Sequence, residues 1–255
     1  MSMISRLETY CHKQVAQRLS RKLARQMPPL PIISFTFDDF PQSALTVAGG
    51  MLREKGVHGT YYASMGLIGQ QSSLGDMYNA QNLRTLVADG HELACHTFGH
   101  LNCSRVAAGE IERDCERNRL AVAEALDGYR LRNFCFPSGG VTWPAKSALI
   151  SIYDSCRTIK RGINRNPVDL GFLRANPMYS RFPIDELYRL IENNIEQAGW
   201  LILYTHDVRE QHSDVGCTPS YFRDILRFAV ASGASIMTVA EAAKKFQVSE
   251  RSQTI

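Results

Sequence analysis

Short apolar runs of strand length alternate with longer segments of helical spacing from residue 32 to about residue 239. That alternation is the strongest constraint on the fold. Strands are expected near 32–37, 58–63, 91–95, 132–136, 155–160, 200–205 and 235–239, with helices near 44–55, 80–88, 105–126, 145–152, 184–198 and 221–231. Strands joined through helices run parallel, so about seven β/α units imply either a barrel or an open doubly wound sheet. A chain of 255 residues, 44% hydrophobic, is long enough to bury one such core.

Residues 1–27 differ from this body. Arg6, Lys13, Arg18, Arg21, Lys22 and Arg25 stand against a single acidic residue, Glu8, while the remainder of the chain is nearly neutral. Ile4, Leu7, Cys11, Val15, Leu19, Leu23 and Met27 recur at helical spacing, so the segment reads as an extra basic amphipathic helix ended by Pro28-Pro29. Such a helix packs its apolar stripe on the domain of residues 28–255, or lies on an anionic membrane surface. Nucleic acid is not an expected partner, because the charge is confined to one terminus and no aromatic platform accompanies it.

Seven cysteines are scattered without a Cys-x-x-Cys pair, and an odd number cannot all pair within one chain. Free thiols fit a reducing compartment. No apolar run approaches the roughly 20 residues that span a bilayer, and no apolar leader stretch is evident, so the expected location is cytoplasmic.

Polar groups that carry chemistry follow the strands: Asp38-Asp39, then His96-Thr97-Phe98-Gly99-His100, then Pro137-Ser138-Gly139, then His206-Asp207. In parallel α/β folds the carboxyl ends of the strands line the site, so these separated blocks are expected to converge. An Asp-Asp pair alone reads as a polar turn, and a His-x-x-x-His pair alone as solvated or core histidines. Together they offer a general base beside an Asp/His/His metal site that keeps an open coordination position. Asp39, His96 and His100 are the expected ligands, suited to Zn²⁺ with Co²⁺, Mn²⁺ or Fe²⁺ compatible. Asp38 is the expected base and His206 the expected acid for a departing amine, and the Ser138 amide is placed to stabilise an oxyanion. Since successive strand residues point to opposite faces, Asp38 and Asp39 need different roles or a backbone break after Phe37.

The ordered blocks resemble the polysaccharide deacetylase family, also called the NodB homology domain or carbohydrate esterase family four. Thr36-Phe37-Asp38-Asp39 and His96-Thr97-Phe98-Gly99-His100 resemble its first two motifs, Phe134-Cys135-Phe136-Pro137-Ser138-Gly139 its third, and Leu203-Tyr204-Thr205-His206-Asp207 its last. The resemblance implies a distorted (β/α)7 barrel that removes N-acetyl, occasionally O-acetyl, groups from carbohydrates with a divalent metal. It implies the same base, ligands and acid, with Ser138 and Tyr204 contacting substrate. Many members carry an arginine at the position of Cys135, where it orients the catalytic aspartate, and cysteine cannot replace that cationic fork. Arg161 and Arg165 are the candidates to compensate from another loop, with ordinary surface solvation the equally open alternative. The family's Asp-Trp motif has only Asp169 and Trp143 as candidates.

The expected activity is therefore removal of N-acetyl groups from an amino-sugar oligosaccharide or polysaccharide. Two other readings stay open: a deformylase or deacetylase of a lipid- or nucleotide-linked amino sugar, and a carbohydrate-binding protein that has lost catalysis through the change at Cys135.

Overall fold

A computed structural model describes residues 3–19, 22–24 and 30–246. Its main sheet has eight strands: β1 (Ile32–Asp38), β2 (Thr60–Ala63), β3 (Glu92–Cys95), β4 (Asn133–Cys135), β5 (Ser155–Arg157), β6 (Asn176–Pro177), β7 (Trp200–Thr205) and β8 (Ser235–Ile236). Every pairing is parallel, in the spatial order β6-β7-β1-β2-β3-β4-β5, with β8 against the first two residues of β1. The Thr158 amide donates to the Leu173 carbonyl and the Leu173 amide to Cys156, which ties the β5 edge to the chain entering β6. The sheet thus curls into the expected distorted (β/α)7 barrel rather than an open sheet.

The helices are α1 (Met3–Arg18), α2 (Gly50–Glu54), α3 (Ala80–Ala88), α4 (Ala108–Ala125), α5 (Trp143–Ile152), α6 (Ile184–Glu196), α7 (Pro219–Ala231) and α8 (Val239–Lys244). The segment expected as one helix over 44–55 begins as a π-helix, Ala44–Gly49, before α2. Gly49 lies so close to the Tyr61 hydroxyl that a Cβ would sit 3.1 Å from it.

Strand β1 is buried along its whole length and shows how alternation builds the molecule. Ile33, Phe35 and Phe37 face the helices, where Phe35 meets Phe222 edge-on at 5.7 Å and Phe37 stacks on Tyr61 at 4.5 Å. Such ring pairs contribute about 0.5–1.5 kcal/mol beyond their buried area. Ser34, Thr36 and Asp38 face the barrel interior. Ser34 accepts from the Trp200 indole at 2.9 Å, and Thr36 donates to the Leu203 carbonyl at 2.9 Å.

The interior is layered. Thr60, Glu92, Asn133 and Ser155, the first residues of β2 to β5, form one hydrogen-bonded chain across the strands: Thr60 to Glu92 at 2.8 Å, Asn133 to Glu92 at 2.6 Å, and Ser155 to Asn133 at 2.7 Å. Glu92 also accepts the Ala240 amide and so caps α8 at the amino ends of the strands. Two residues further along each strand, Tyr62, Ala94, Cys135 and Arg157 form the next layer, directly beneath the site.

The helix expected over 1–27 is shorter. It ends at Arg18, and Leu23–Ala24 is a short strand antiparallel to Val168–Asp169. The fully buried Lys146 on α5 terminates it by donating to the Ala16 and Leu19 carbonyls at 2.9 and 2.8 Å while pairing with Asp169 at 2.5 Å. A cation at a helix C-terminus satisfies orphan carbonyls that another turn would otherwise need. Of the described side chains in the expected apolar stripe, Val15 and Leu23 are half-buried while Cys11 and Leu19 are exposed; Ala16, outside the stripe, is buried, and Tyr10 is 60% exposed. Met27 and Pro28-Pro29 lie outside the described residues.

Candidate active site

Asp38 closes β1, and Asp39 follows it with φ 41°, a left-handed residue that breaks the strand. Both carboxylates therefore reach one cleft despite being adjacent. After β3, Thr97 and His100 are also left-handed, at φ 61° and 53°, so a tight loop rather than a helical turn brings His100 back beside His96. Ser138, at φ 54°, turns the chain after β4. Among the described residues six non-glycine residues have positive φ, and four of them stand here. Each costs on the order of 1–3 kcal/mol, and such strain concentrates where geometry serves a site.

The loop 96–101 is held from several sides. The Thr97 hydroxyl accepts from the Leu101 amide at 2.9 Å, and the Ser64 hydroxyl donates to the His96 carbonyl at 2.8 Å. Asp114 on α4 accepts the Phe98 and Gly99 amides at 2.8 and 2.9 Å. Its neighbour Arg117 lies over the Phe98 ring at 3.7 Å. Asp114 carries no local sequence signal, being one carboxylate amid a charged helix.

All seven expected site residues, Asp38, Asp39, His96, His100, Ser138, Tyr204 and His206, line one cleft of about 240 Å³ together with Ile159, Tyr179 and Val215. A larger groove of about 670 Å³ beside α4 and α5 is built around Glu112, Glu116, Arg119 and Tyr153. The smaller cleft is the candidate active site, because the potential metal-ligating groups found among the described residues include Asp39, His96 and His100 there and none in the larger groove.

Those three residues fit a divalent cation. Their ligand atoms lie within 4.8 Å of one another. Asp39 Oδ2 is 2.8 Å from His100 Nε2 and 3.7 Å from His96 Nε2, and Asp39 Oδ1 is buried with no hydrogen-bond partner. His96 Nδ1 lies 2.8 Å from the Cys135 carbonyl. A carbonyl only accepts, so Nδ1 carries the proton and the Nε2 lone pair faces the other ligands, the usual outer support of a metal-binding histidine. Burial holds His96 below the ordinary imidazole value despite the two neighbouring aspartates, which keeps it neutral as a ligand must be. Burial also acts to raise Asp39, but His96, His100 and His206 outweigh it and hold the carboxyl below its ordinary range. For His100 the burial effect is overcome by the hydrogen bond and charge of Asp39, and its value is raised.

His206 is only partly buried. Its Nδ1 lies 3.2 Å from the Val215 carbonyl, so the same reasoning leaves Nε2 toward the cleft. Val215 is brought there by a loop folded on the buried Asp207, which accepts from the Ser213 amide at 2.8 Å, the Ser213 hydroxyl at 2.5 Å and Arg209 at 3.0 Å. Gly216 closes that loop because a Cβ would lie 2.2 Å from Asp207 Oδ1. Of the two expected Asp-Trp candidates, Asp169 is bound to Lys146 and Trp143 opens α5.

The arginine beside Asp38 is Arg157, not Arg161 or Arg165. Arg161 sits at the surface, 3.8 Å from Glu186 and over the Phe182 ring, and Arg165 is exposed. Arg157 Nη2 donates to Asp38 Oδ1 and lies 2.8 Å from Cys135 Sγ, while Nη1 donates to the Thr158 carbonyl at 3.2 Å. Burial works against the guanidinium charge, but Asp38 more than offsets it and the proton is held above the ordinary value. Burial pushes the Cys135 thiol well up, so it is a neutral neighbour. Residue 157 lies in the strand expected over 155–160, and its inward-facing register was the available signal.

Residues 25–151 match the family model of polysaccharide deacetylases, a span holding Asp38, Asp39, His96, His100 and Ser138 but neither Arg157 nor His206. No curated protein matches the chain in sequence. Among solved structures, the Xyl-CE4 domain of a multidomain xylanase from a Trinervitermes trinervoides hindgut metagenome is 20% identical, with a TM-score of 0.60 over 85% of this chain and 91% of that one. The family 4 carbohydrate esterase PdaA of Bacillus subtilis is 11% identical, with a TM-score of 0.60 over 92% and 89%. A family 4 pseudoenzyme from Bacillus anthracis is 12% identical, also at 0.60, over 94% and 82%. In sequence over residues 25–151, and in fold over most of its length, the chain is similar to the polysaccharide deacetylase family.

Proposed function

We propose that this chain is a metal-dependent hydrolase that removes N-acetyl groups from an amino-sugar-containing oligosaccharide or polysaccharide. The observation that carries this reading is the meeting of Asp39, His96 and His100 with Asp38 and His206 in one cleft. A divalent cation held by the first three, Zn²⁺ or alternatively Co²⁺ or Mn²⁺, supplies Lewis-acid polarisation of the acyl carbonyl and acidifies water. Asp38 accepts the proton of the attacking water, and His206 Nε2 returns a proton to the departing amine. The Ser138 amide, exposed by its left-handed turn, donates to the oxyanion, and Tyr204 contacts the sugar. The products are a carboxylic acid and a free amino sugar.

Two further features bear on the setting. The seven unpaired cysteines support a reducing, cytoplasmic location and thus a soluble, nucleotide-linked or lipid-linked saccharide. Exposed Tyr10 on the basic helix and exposed Leu19 just past its end support peripheral contact with an anionic membrane. Liposome sedimentation of the full chain and of a chain lacking residues 1–18 checks this: equal binding would remove the reason for a membrane-linked substrate.

Cysteine at position 135 favours a second reading, a carbohydrate-binding protein without catalysis. A panel of N-acetylated and N-formylated saccharides, assayed for released acid with the metal-loaded protein, separates the two. Acid release supports the hydrolase, whereas saccharide binding without release supports the second reading.

A further inference from the structure

We propose that Arg157 is the positioning residue for Asp38, relocated to β5 from the neighbouring strand where the family resemblance places an arginine, and that Cys135 is the small partner that makes the relocation possible. The proposal rests on the hydrolase reading, with Asp38 as base.

Cys135 and Arg157 are register partners on adjacent parallel strands. Neighbouring strands stand about 4.8 Å apart, and paired residues project to the same face. A guanidinium rooted at either position therefore enters the same space. That space holds only one. Cys135 Sγ is 2.8 Å from Arg157 Nη2 and 3.9 Å from Asp38 Oδ2, so a long side chain at 135 would overlap the guanidinium already present. Arginine at 157 and a small residue at 135 form one compensated exchange.

The guanidinium is also immobilised as a positioning group needs to be. Its Cζ lies 4.9 Å from the centroids of both Tyr62 and Tyr204, and the residue is completely buried. Nη1 is tied to Thr158 and Nη2 to Asp38. Since Tyr204 lines the cleft, the same ring that contacts Arg157 borders the substrate space. Arg157 itself is absent from the cleft lining. It acts through Asp38, fixing one carboxylate oxygen so that the carboxylate presents a single orientation to the water.

The test compares the wild type with Arg157→Gln, Arg157→Lys and the exchanged chain carrying both Cys135→Arg and Arg157→Cys. Metal content, thermal melting, kcat and KM are measured on an N-acetylated chitooligosaccharide. Misplacing a reacting group costs about a hundredfold, so Arg157→Gln and Arg157→Lys are expected to lose about that in kcat with metal content unchanged and KM within about twofold. The exchanged chain is expected to regain about tenfold or more of the lost kcat, which a merely structural Arg157 would not produce. Should the single variants fail to fold, the exchanged chain is compared with the wild type: a kcat within about tenfold supports the relocation, and a folded, metal-loaded chain about a hundredfold slower or more overturns it. Full kcat in Arg157→Gln, or a folded and metal-loaded exchanged chain no faster than the single variants, would overturn the relocation. A wild type that releases no acid overturns the hydrolase reading and this role together, whereas an active wild type indifferent to residue 157 overturns only this role.

Discussion

The two halves of the cleft are built on different principles. The half formed by the ends of β1 and β3 takes Asp39, His96 and His100 from two short stretches, and left-handed residues turn each side chain inward within its own loop. The half formed by β4 and β5 has no such local logic. There Cys135 and Arg157 share one volume across a strand boundary, and what reaches Asp38 depends on the pair rather than on either residue. Ligation needs three lone pairs at fixed positions, which constrains the backbone that carries them. Orienting a carboxylate needs only a cation at one point, and two neighbouring strands can both deliver it.

This contrast sets the order of expected effects. His96→Ala removes a proposed ligand from the locally encoded half, and elemental analysis of the purified variant should show metal content falling from stoichiometric to near zero, with activity lost alongside it. Retention of full metal by that variant would break the comparison at its firmest point. Asp114→Ala leaves the ligands in place but strips the Phe98 and Gly99 amides of their acceptor. Loss of outer-shell support of this kind weakens metal binding by about 10–100-fold, measurable by chelator competition.

A smaller effect follows from His100. Its value is raised in the metal-free fold because Asp39 more than offsets burial. A raised histidine stabilises the fold fully below its unfolded value of about 6.5, and that contribution is lost as pH rises through the folded value. The cation needs the same ring deprotonated, so proton and metal compete. Melting curves with chelator and with Zn²⁺ should show the metal-induced gain in Tm growing as pH rises through this range, and a flat gain would argue against His100 as a ligand. Smallest of all is Arg161→Ala. Its exposed pair with Glu186 contributes at most about 1 kcal/mol, so melting and kcat should stay near wild type. A large loss of kcat in that variant would return the orienting role to Arg161.

How much of this is legible in the sequence follows the same division. Alternation gives the parallel strands, and the motif order brings Asp38, Asp39, His96, His100, Ser138, Tyr204 and His206 to one end of them. Arg157 escapes such a reading because its partner is 119 positions away. Only the interior layering reveals that residues 135 and 157 are interchangeable roots for one group. Likewise the helix over 1–27 looks longer than it is, because Lys146, which terminates it at Ala16 and Leu19, lies about 130 residues further on. The backbone carbonyl of Val215, which stands against His206, is equally invisible to residue types, being set by the fold of the loop on Asp207.

The central claim is that Asp38 is a base poised beside a metal site it does not itself build. Acid release from N-acetylated chitooligosaccharides, measured per equivalent of bound metal for wild type and Asp38→Asn, tests it most directly. General-base removal predicts a loss of about 10²–10⁴-fold in rate at unchanged metal content. Equal rates for the two metal-loaded proteins would contradict the account.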